Sequence, residues 1–227
     1  MSTEKSESLN FYTYLSQKIG SEHVVRIRRL NATISDLGHY EYGIVRSITS
    51  GSRGEGLQLK QSDSDMMNIN TIFKVYESET EVVHQSEVKV PLIINTEDTG
   101  PCFAQLCLLN HPDYHYISTG GLMNMWQNNH LGCVLSSEQY RSMFFSINAY
   151  DPFKFLFKIH GPCLSDKYDE LDILDSNKCD QWIFQAQPWV SKPRTMWPPP
   201  ELVSKIISCG VLFVPIGCKG SANENLE

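Results

Sequence analysis

GSRGEGLQLKQSDSDMMNI, residues 51–69, is the stretch on which the reading of this chain turns. Ahead of it, YGIVRSITS (residues 42–50) has the composition of a strand. Behind it, MMNINTIFKVYE carries the β-branched and aromatic residues of a second strand. Gly51 and Ser52 therefore form a small turn where a strand hands over to the next element. Such a turn exposes backbone N–H groups and one hydroxyl, and no bulky side chain holds a phosphate oxygen away from them. Eleven residues beyond Ser52 stands Asp63, followed by Ser64 and Asp65. In an extended segment alternate side chains share a face, so both carboxylates point the same way.

Like charges that close repel unless a cation lies between them. Mg²⁺ suits such a place, because it takes oxygen ligands from one or two carboxylates and fills its shell with water and phosphate oxygens. Two such ions can activate a hydroxyl and stabilise a departing pyrophosphate. The competing reading is ordinary: SDSD also suits a solvated turn, and Gly-Ser loops are common. The order strand, glycine turn, paired acids, strand is what favours the metal reading.

Outward from this stretch, apolar residues at Val24, Ile27, Leu30, Ile34 and Leu37 step by threes and fours, one face of an amphipathic helix over about 21–37. Ser21 is its expected start and Gly38 its stop. Residues 1–19 form a polar lead, frayed before about residue 9. Downstream, VVHQSEVKVPLII is a strand candidate or pair, and residues 101–135 carry no clear pattern. Residues 136–147 suit a helix, with Ser136 or Ser137 as cap and Glu138 in the first turn. FKFLFKIHGP alternates Phe and Lys, as a strand with one wet face does. After Pro200, ELVSKIIS predicts a short helix closed by Gly210, with VLFVPIG as a strand beyond. Strands and helices interleave without a strict βαβ rhythm, which predicts an α+β fold: a mixed β-sheet with flanking helices, in one domain over residues 20–227.

Composition sets the bounds. With 227 residues, 41% of them hydrophobic, the chain is long enough for a real core. The net charge of −7 argues against broad, sequence-independent binding to nucleic acid, which draws its affinity from neutralised phosphates. Seven scattered cysteines, an odd number, suggest reduced thiols and hence a cytoplasmic or nuclear protein. The polar opening MSTEKSESLN and the shortness of apolar runs such as VLFVPIG predict no membrane association.

GSRGEGL followed by SDSDMM resembles the signature of Mab-21-like proteins, relatives of cyclic GMP-AMP synthase in the DNA polymerase beta-like nucleotidyltransferase superfamily. WPPPELVSKIISCGVLFVPIGCKGS, with NENLE after it, is similar to the family's stretch just ahead of its Trp-Arg-(Ile/Leu)-Ser-Phe-Ser block. Gly161-Pro162-Cys163 and the spacing of Cys179, Trp182, Trp189 and Trp197 match too, so the resemblance runs from about residue 20 to the end. It implies that Gly51 and Ser52 hold nucleotide phosphate and that Asp63 and Asp65 are the first two metal carboxylates, for Mg²⁺ or Mn²⁺. The family's third catalytic carboxylate precedes the tryptophan that Trp182 resembles by about ten residues, which places it at Asp172, with Asp169 and Asp175 as competitors. The resemblance further implies ATP or GTP as substrate. In a complete enzyme it implies a cyclic dinucleotide as product, made when a nucleic acid or another activating ligand is sensed. The family also contains catalytically inactive regulatory members.

Two departures bear on these expectations. The family has an apolar strand after its third acid, whereas DILDSNKC has Asp175, Ser176 and Asn177 there, so a wet loop around Asp172 is expected. The chain also ends at Glu227, where the family continues into a helical lobe that closes the nucleotide cleft, so poor or absent catalysis by this polypeptide alone is expected.

Other signals are weaker. Cys102, Cys107, His111 and His115 are zinc-type ligands, but their middle gap is short for a finger. Arg26, Arg28, Arg29, Arg46 and Arg53 could line a ligand groove, although arginines on a helix more commonly form a solvated face. Trp182, Trp189 and Trp197 are expected to anchor packing.

Overall fold

The architecture is that of a computed structural model, which describes residues 3–38, 45–59, 62–82, 89–97, 99–100, 102–114, 123–147, 156–195 and 197–216. Parts of several expected elements (residues 42–44, 83–88 and 153–155, and the NENLE end) lie outside the described residues.

A mixed sheet organises the chain, with helices flanking it. Its hub is β10, Leu171–Cys179, which serves two groups of strands. The first half of β10 pairs parallel with β2 (Ser64–Asn70) and antiparallel with β9 (Cys163–Asp166). Beyond β2 lies β1, Val45–Ser50, and beyond β9 lies β8, Phe157–His160. The last residues of β10 pair with β3 (Phe73–Tyr76) and β11 (Val211–Phe213). From β3 the sheet continues through β4 (Val90–Asn95), β5 (Gln105–Leu108), β7 (Gly132–Leu135) and β6 (Trp126–Asn129). The last three of these fall in the stretch without a sequence pattern.

The single strand expected from MMNINTIFKVYE is two strands, β2 and β3, and Asn70 divides them. Its buried Oδ1 accepts from the Ile72 N–H at 2.8 Å and the Phe73 N–H at 3.4 Å. An Asn that bonds the backbone two residues on makes a turn in place of a ladder. The chain thereby leaves the β1 group and enters the β4 group.

The core lies on one face of the second group, where Phe73, Val75, Leu92, Leu106, Met125, Trp126, Tyr140 and Ile183 are buried together. Phe73 meets the Trp126 ring edge-on at 6.0 Å. The helices are α1 (Thr3–Ile19), α2 (Glu22–Gly38), α3 (Gly51–Gly54), α4 (Ser137–Ile147), α5 (Gln187–Ser191) and α6 (Pro200–Ser208). Ser136 caps α4 as expected, its Oγ accepting from the Gln139 N–H at 3.3 Å. Gly210 closes α6 with φ +76; a Cβ there would lie 2.8 Å from the Asp180 carbonyl carbon, so glycine is required.

Three expectations need correction. The lead is helical from Thr3, not frayed before residue 9. Trp182 and Trp189 do pack on one another, with ring centroids 5.4 Å apart, but Trp197 is 73% exposed and is not a buried anchor. Finally, α2 forms where the periodicity places it, yet its apolar stripe is not the face it packs with. Val25, Arg28, Ala32 and Asp36 are its half-buried positions, while the stripe is exposed. Polar anchors explain the choice. Arg28 Nη1 donates to Ile19 O at 2.5 Å, Arg29 Nε donates to Glu55 O at 2.7 Å, and Asp36 Oδ1 accepts from the Thr49 N–H and hydroxyl at 3.0 and 2.8 Å. Among the described residues no helix is long and apolar enough to cross a membrane.

Candidate functional site

β1 ends at Ser50, and Gly51 turns the chain into the single-turn helix α3. Gly51 has φ +59, a conformation glycine adopts without the steric cost a Cβ brings. Space demands glycine as well: a Cβ on Gly51 would overlap the Asp65 carboxylate and lie 2.6 Å from its Cγ. The turn and the acid are thus in direct apposition, because Ser50 is the antiparallel partner of Asp65 across β1 and β2. N–H groups in the first turn of a helix have no intrahelical acceptor. Those of Ser52 and Arg53 stand in that position beside the Ser52 hydroxyl.

The loop carrying this turn is held from below. Leu57 N–H returns to Ser52 O at 2.9 Å, and Arg28 and Arg29 of α2 bind the carbonyls of Glu55, Gly56 and Leu57. Arg53 Nη2 reaches Ser62 O at 3.3 Å, while exposed Arg26 pairs with Glu22. Of the arginines considered as groove-lining, Arg28 and Arg29 are therefore clamps that fix α2 to the glycine loop.

Asp63 immediately precedes β2, and Asp65 is its second residue. The parallel register sets Asp172 of β10 beside Asp65, and Ser64 N–H to Glu170 O at 2.8 Å extends that pairing at the strand entrance. Residues level with one another on adjacent strands project to the same face. Asp63, Asp65 and Asp172 accordingly each offer a carboxylate oxygen, all within 4.8 Å of one another, and all three are half-buried. Burial and the charges of Asp63 and Asp172 raise the Asp65 carboxyl above the ordinary aspartate range. A crowd of acids with a raised member is what a bound cation would relieve. The donors are all carboxylate oxygens, a set that could hold a metal ion.

The competitors for the third position are elsewhere. Asp169 sits in the β9–β10 turn with φ +58, its carboxylate 2.7 Å from Lys158 Nζ. Asp175 is three residues past Asp172 and so projects to the opposite face, where Asn68 Nδ2 donates to it at 3.1 Å. Burial raises its carboxyl too.

The expected wet loop around Asp172 is overturned: it lies in a continuous nine-residue strand. The polar residues that raised that expectation have partners. Ser176 Oγ donates to Asn68 O at 2.8 Å, Ser47 Oγ donates to Asn68 Oδ1 at 2.7 Å, and the buried Tyr140 hydroxyl joins Asn70 Nδ2 at 3.1 Å with Asn177 Oδ1 at 3.5 Å. Polar groups in a core strand are tolerated when each finds a bond. Here Asn68 of β2 supplies the bond that Asp175 needs, and the Tyr140 hydroxyl, held by Asn70 of β2, supplies the one that Asn177 needs.

Sequence reasoning missed three neighbours of the triad. Ser62 Oγ makes a close contact with Ser52 Oγ, a pairing the ten-residue spacing does not announce. Ser165, level with Asp172 on β9, is fully buried and its hydroxyl has no bonding partner. Cys163 is on the same strand; burial and then the charges of Asp172 and Asp65 raise its thiol. Among the described residues the zinc-type set does not assemble: Cys102 lines one cavity and Cys107 and His111 line another, while His115 lies outside the described residues.

No protein-family model matches this chain, and no curated protein matches it.

Proposed function

We propose that this chain is a nucleotidyltransferase-type module of the Mab-21-like kind, with a polymerase beta-like core, that binds ATP or GTP together with Mg²⁺ or Mn²⁺. The observation that carries the reading is the convergence of Asp63, Asp65 and Asp172 against Gly51. Two acids from one strand segment and one from its parallel neighbour make an oxygen-only site directly against the glycine turn. Metal bound there would neutralise triphosphate charge and assist attack by a hydroxyl.

The remaining roles belong to the chain's own residues. Ser52 Oγ and the N–H groups of α3 would grip terminal phosphate oxygens, with Ser62 steering the Ser52 hydroxyl. Arg28 and Arg29 hold the loop so that this grip is preformed. Asp172, on a strand braced from its other face by Asn68, keeps a fixed position relative to Asp65.

Titration calorimetry of ATP and GTP, with and without Mg²⁺, tests the reading on the parent chain and on the Asp63→Ala, Asp65→Ala double variant. Metal-dependent binding lost in the double variant supports it. No binding by the parent chain would leave an inactive regulatory module as the better description. Ser52→Ala is expected to weaken triphosphate binding while leaving Mn²⁺ binding by the apo protein intact.

A further inference from the structure

A single row of residues crosses the sheet through the acidic site. Ser50, Asp65, Asp172, Ser165 and Lys158 are register partners in turn on β1, β2, β10, β9 and β8. Partners in such a row project to one face, so Ser165 shares the face of the triad and stands beside Asp172 on the side away from Asp65. Ser165 is fully buried, and its hydroxyl has no bonding partner among the described residues. The other two buried side-chain atoms in that condition are the indole nitrogens of Trp126 and Trp182, and both belong to aromatic packing. A serine hydroxyl on this face can find a bond: Ser176, four residues past Asp172, donates to Asn68 O at 2.8 Å. Lys158, the cation of the row, is taken up by Asp169 at 2.7 Å. Between that ion pair and the triad stands a buried donor with nothing to donate to.

We infer that Ser165 is a positioning residue for Asp172: with a divalent cation held by the triad, its hydroxyl donates to the Asp172 oxygen turned away from the ion. The inference rests on the cation reading of Asp63, Asp65 and Asp172. The chemistry asks for such a donor. A ligating carboxylate has a second oxygen, and a hydrogen bond to it fixes the plane of the group and hence the direction of the metal-bound oxygen. A neutral hydroxyl does this without cancelling charge, whereas a lysine in its place would compete with the cation for Asp172. Directly opposed residues on antiparallel strands have Cβ atoms about 4.5–5.5 Å apart, a span that a hydroxyl and a carboxylate close by rotation about χ1. Ion binding and hydroxyl donation then reinforce each other, since each holds Asp172 in the orientation the other needs.

The test is Mn²⁺ binding by the whole chain, read from the free-ion signal in electron paramagnetic resonance, together with a thermal melt in chelator. Ser165→Ala should bind Mn²⁺ about 10- to 100-fold more weakly than the parent. Its midpoint in chelator should match the parent's or exceed it, because the deleted hydroxyl makes no bond there. Ser165→Thr keeps the hydroxyl and should recover most of the lost affinity. That pattern, with affinity falling while stability does not and threonine restoring it, carries the inference. An alanine variant that binds as tightly as the parent overturns it and leaves the triad reading standing. Affinity and midpoint falling together would assign Ser165 a packing role and overturn it too, as would a threonine variant that melts like the parent yet binds as weakly as alanine. A parent chain that takes up no Mn²⁺ overturns the triad reading itself, and this inference with it.

Discussion

Replacing Asp65 by Asn should stabilise the metal-free protein at neutral pH and remove its response to divalent ions. The three carboxylates lie within 4.8 Å of one another. At that separation each like-charge pair costs about 0.9 kcal/mol in a water-like dielectric and about 3.5 kcal/mol at an effective constant of 20. Asp65 takes part in two of the three pairs, and its partial exposure places it towards the screened end, so neutralising it relieves roughly 1–2 kcal/mol. For a chain of this size, that corresponds to about 2–8 °C in thermal midpoint. The sign follows from linkage. A carboxyl raised in the folded state contributes stability that is fully present below its unfolded value and is lost as pH rises through the folded one. The gain from Asp65→Asn should therefore be full at pH 7 and vanish below the ordinary aspartate value of 3.8. Saturating Mg²⁺ or Mn²⁺ should reverse the order. An ion at a hundred times its dissociation constant adds about 2.7 kcal/mol to the parent chain, and the variant gains little. Differential scanning fluorimetry of both proteins at low salt, with chelator and with each ion, reads these differences. A variant that melts no higher than the parent at pH 7, or that shows an undiminished ion response, refutes the triad as a charge-strained cation site.

Two further perturbations probe the scaffold. Gly51→Ala forces a Cβ into the Asp65 carboxylate and into a left-handed backbone, so urea unfolding should show a loss of about 1–2 kcal/mol from backbone strain alone, and the ion response should disappear with it. Tyr140→Phe deletes the buried hydroxyl shared by Asn70 and Asn177 without leaving a cavity. The two amides are left short of a partner, which should cost about 1–3 kcal/mol in urea unfolding with no change in the ion response.

The paired acids and the glycine turn were legible because both are short-range features. Asp63 and Asp65 share a face by strand periodicity, and Gly51 precedes a segment that cannot continue the strand. The helices at 22–38, 137–147 and 200–208 were legible from spacing, caps and Gly210. The strands between 105 and 135 were not, since they are four residues each and their residues, QLCL, WQNN and GCVL, show no clean alternation.

By itself, then, the order of residues determined that an α+β chain would carry two acids on one face beside a glycine turn. Only the tertiary structure decided which distant acid completes the set. Asp172 and Asp175 differ by three positions and so oppose each other across the sheet, and the parallel register of β10 on β2 is what brings Asp172 to Asp65. The same holds for α2, whose apolar face was plain in the sequence while its orientation was not. Periodicity tells how side chains are distributed around an axis, whereas the bonds of Arg28 and Arg29 to the carbonyls of residues 55–57, and of Asp36 to Thr49 of β1, determine which side of that axis meets the body.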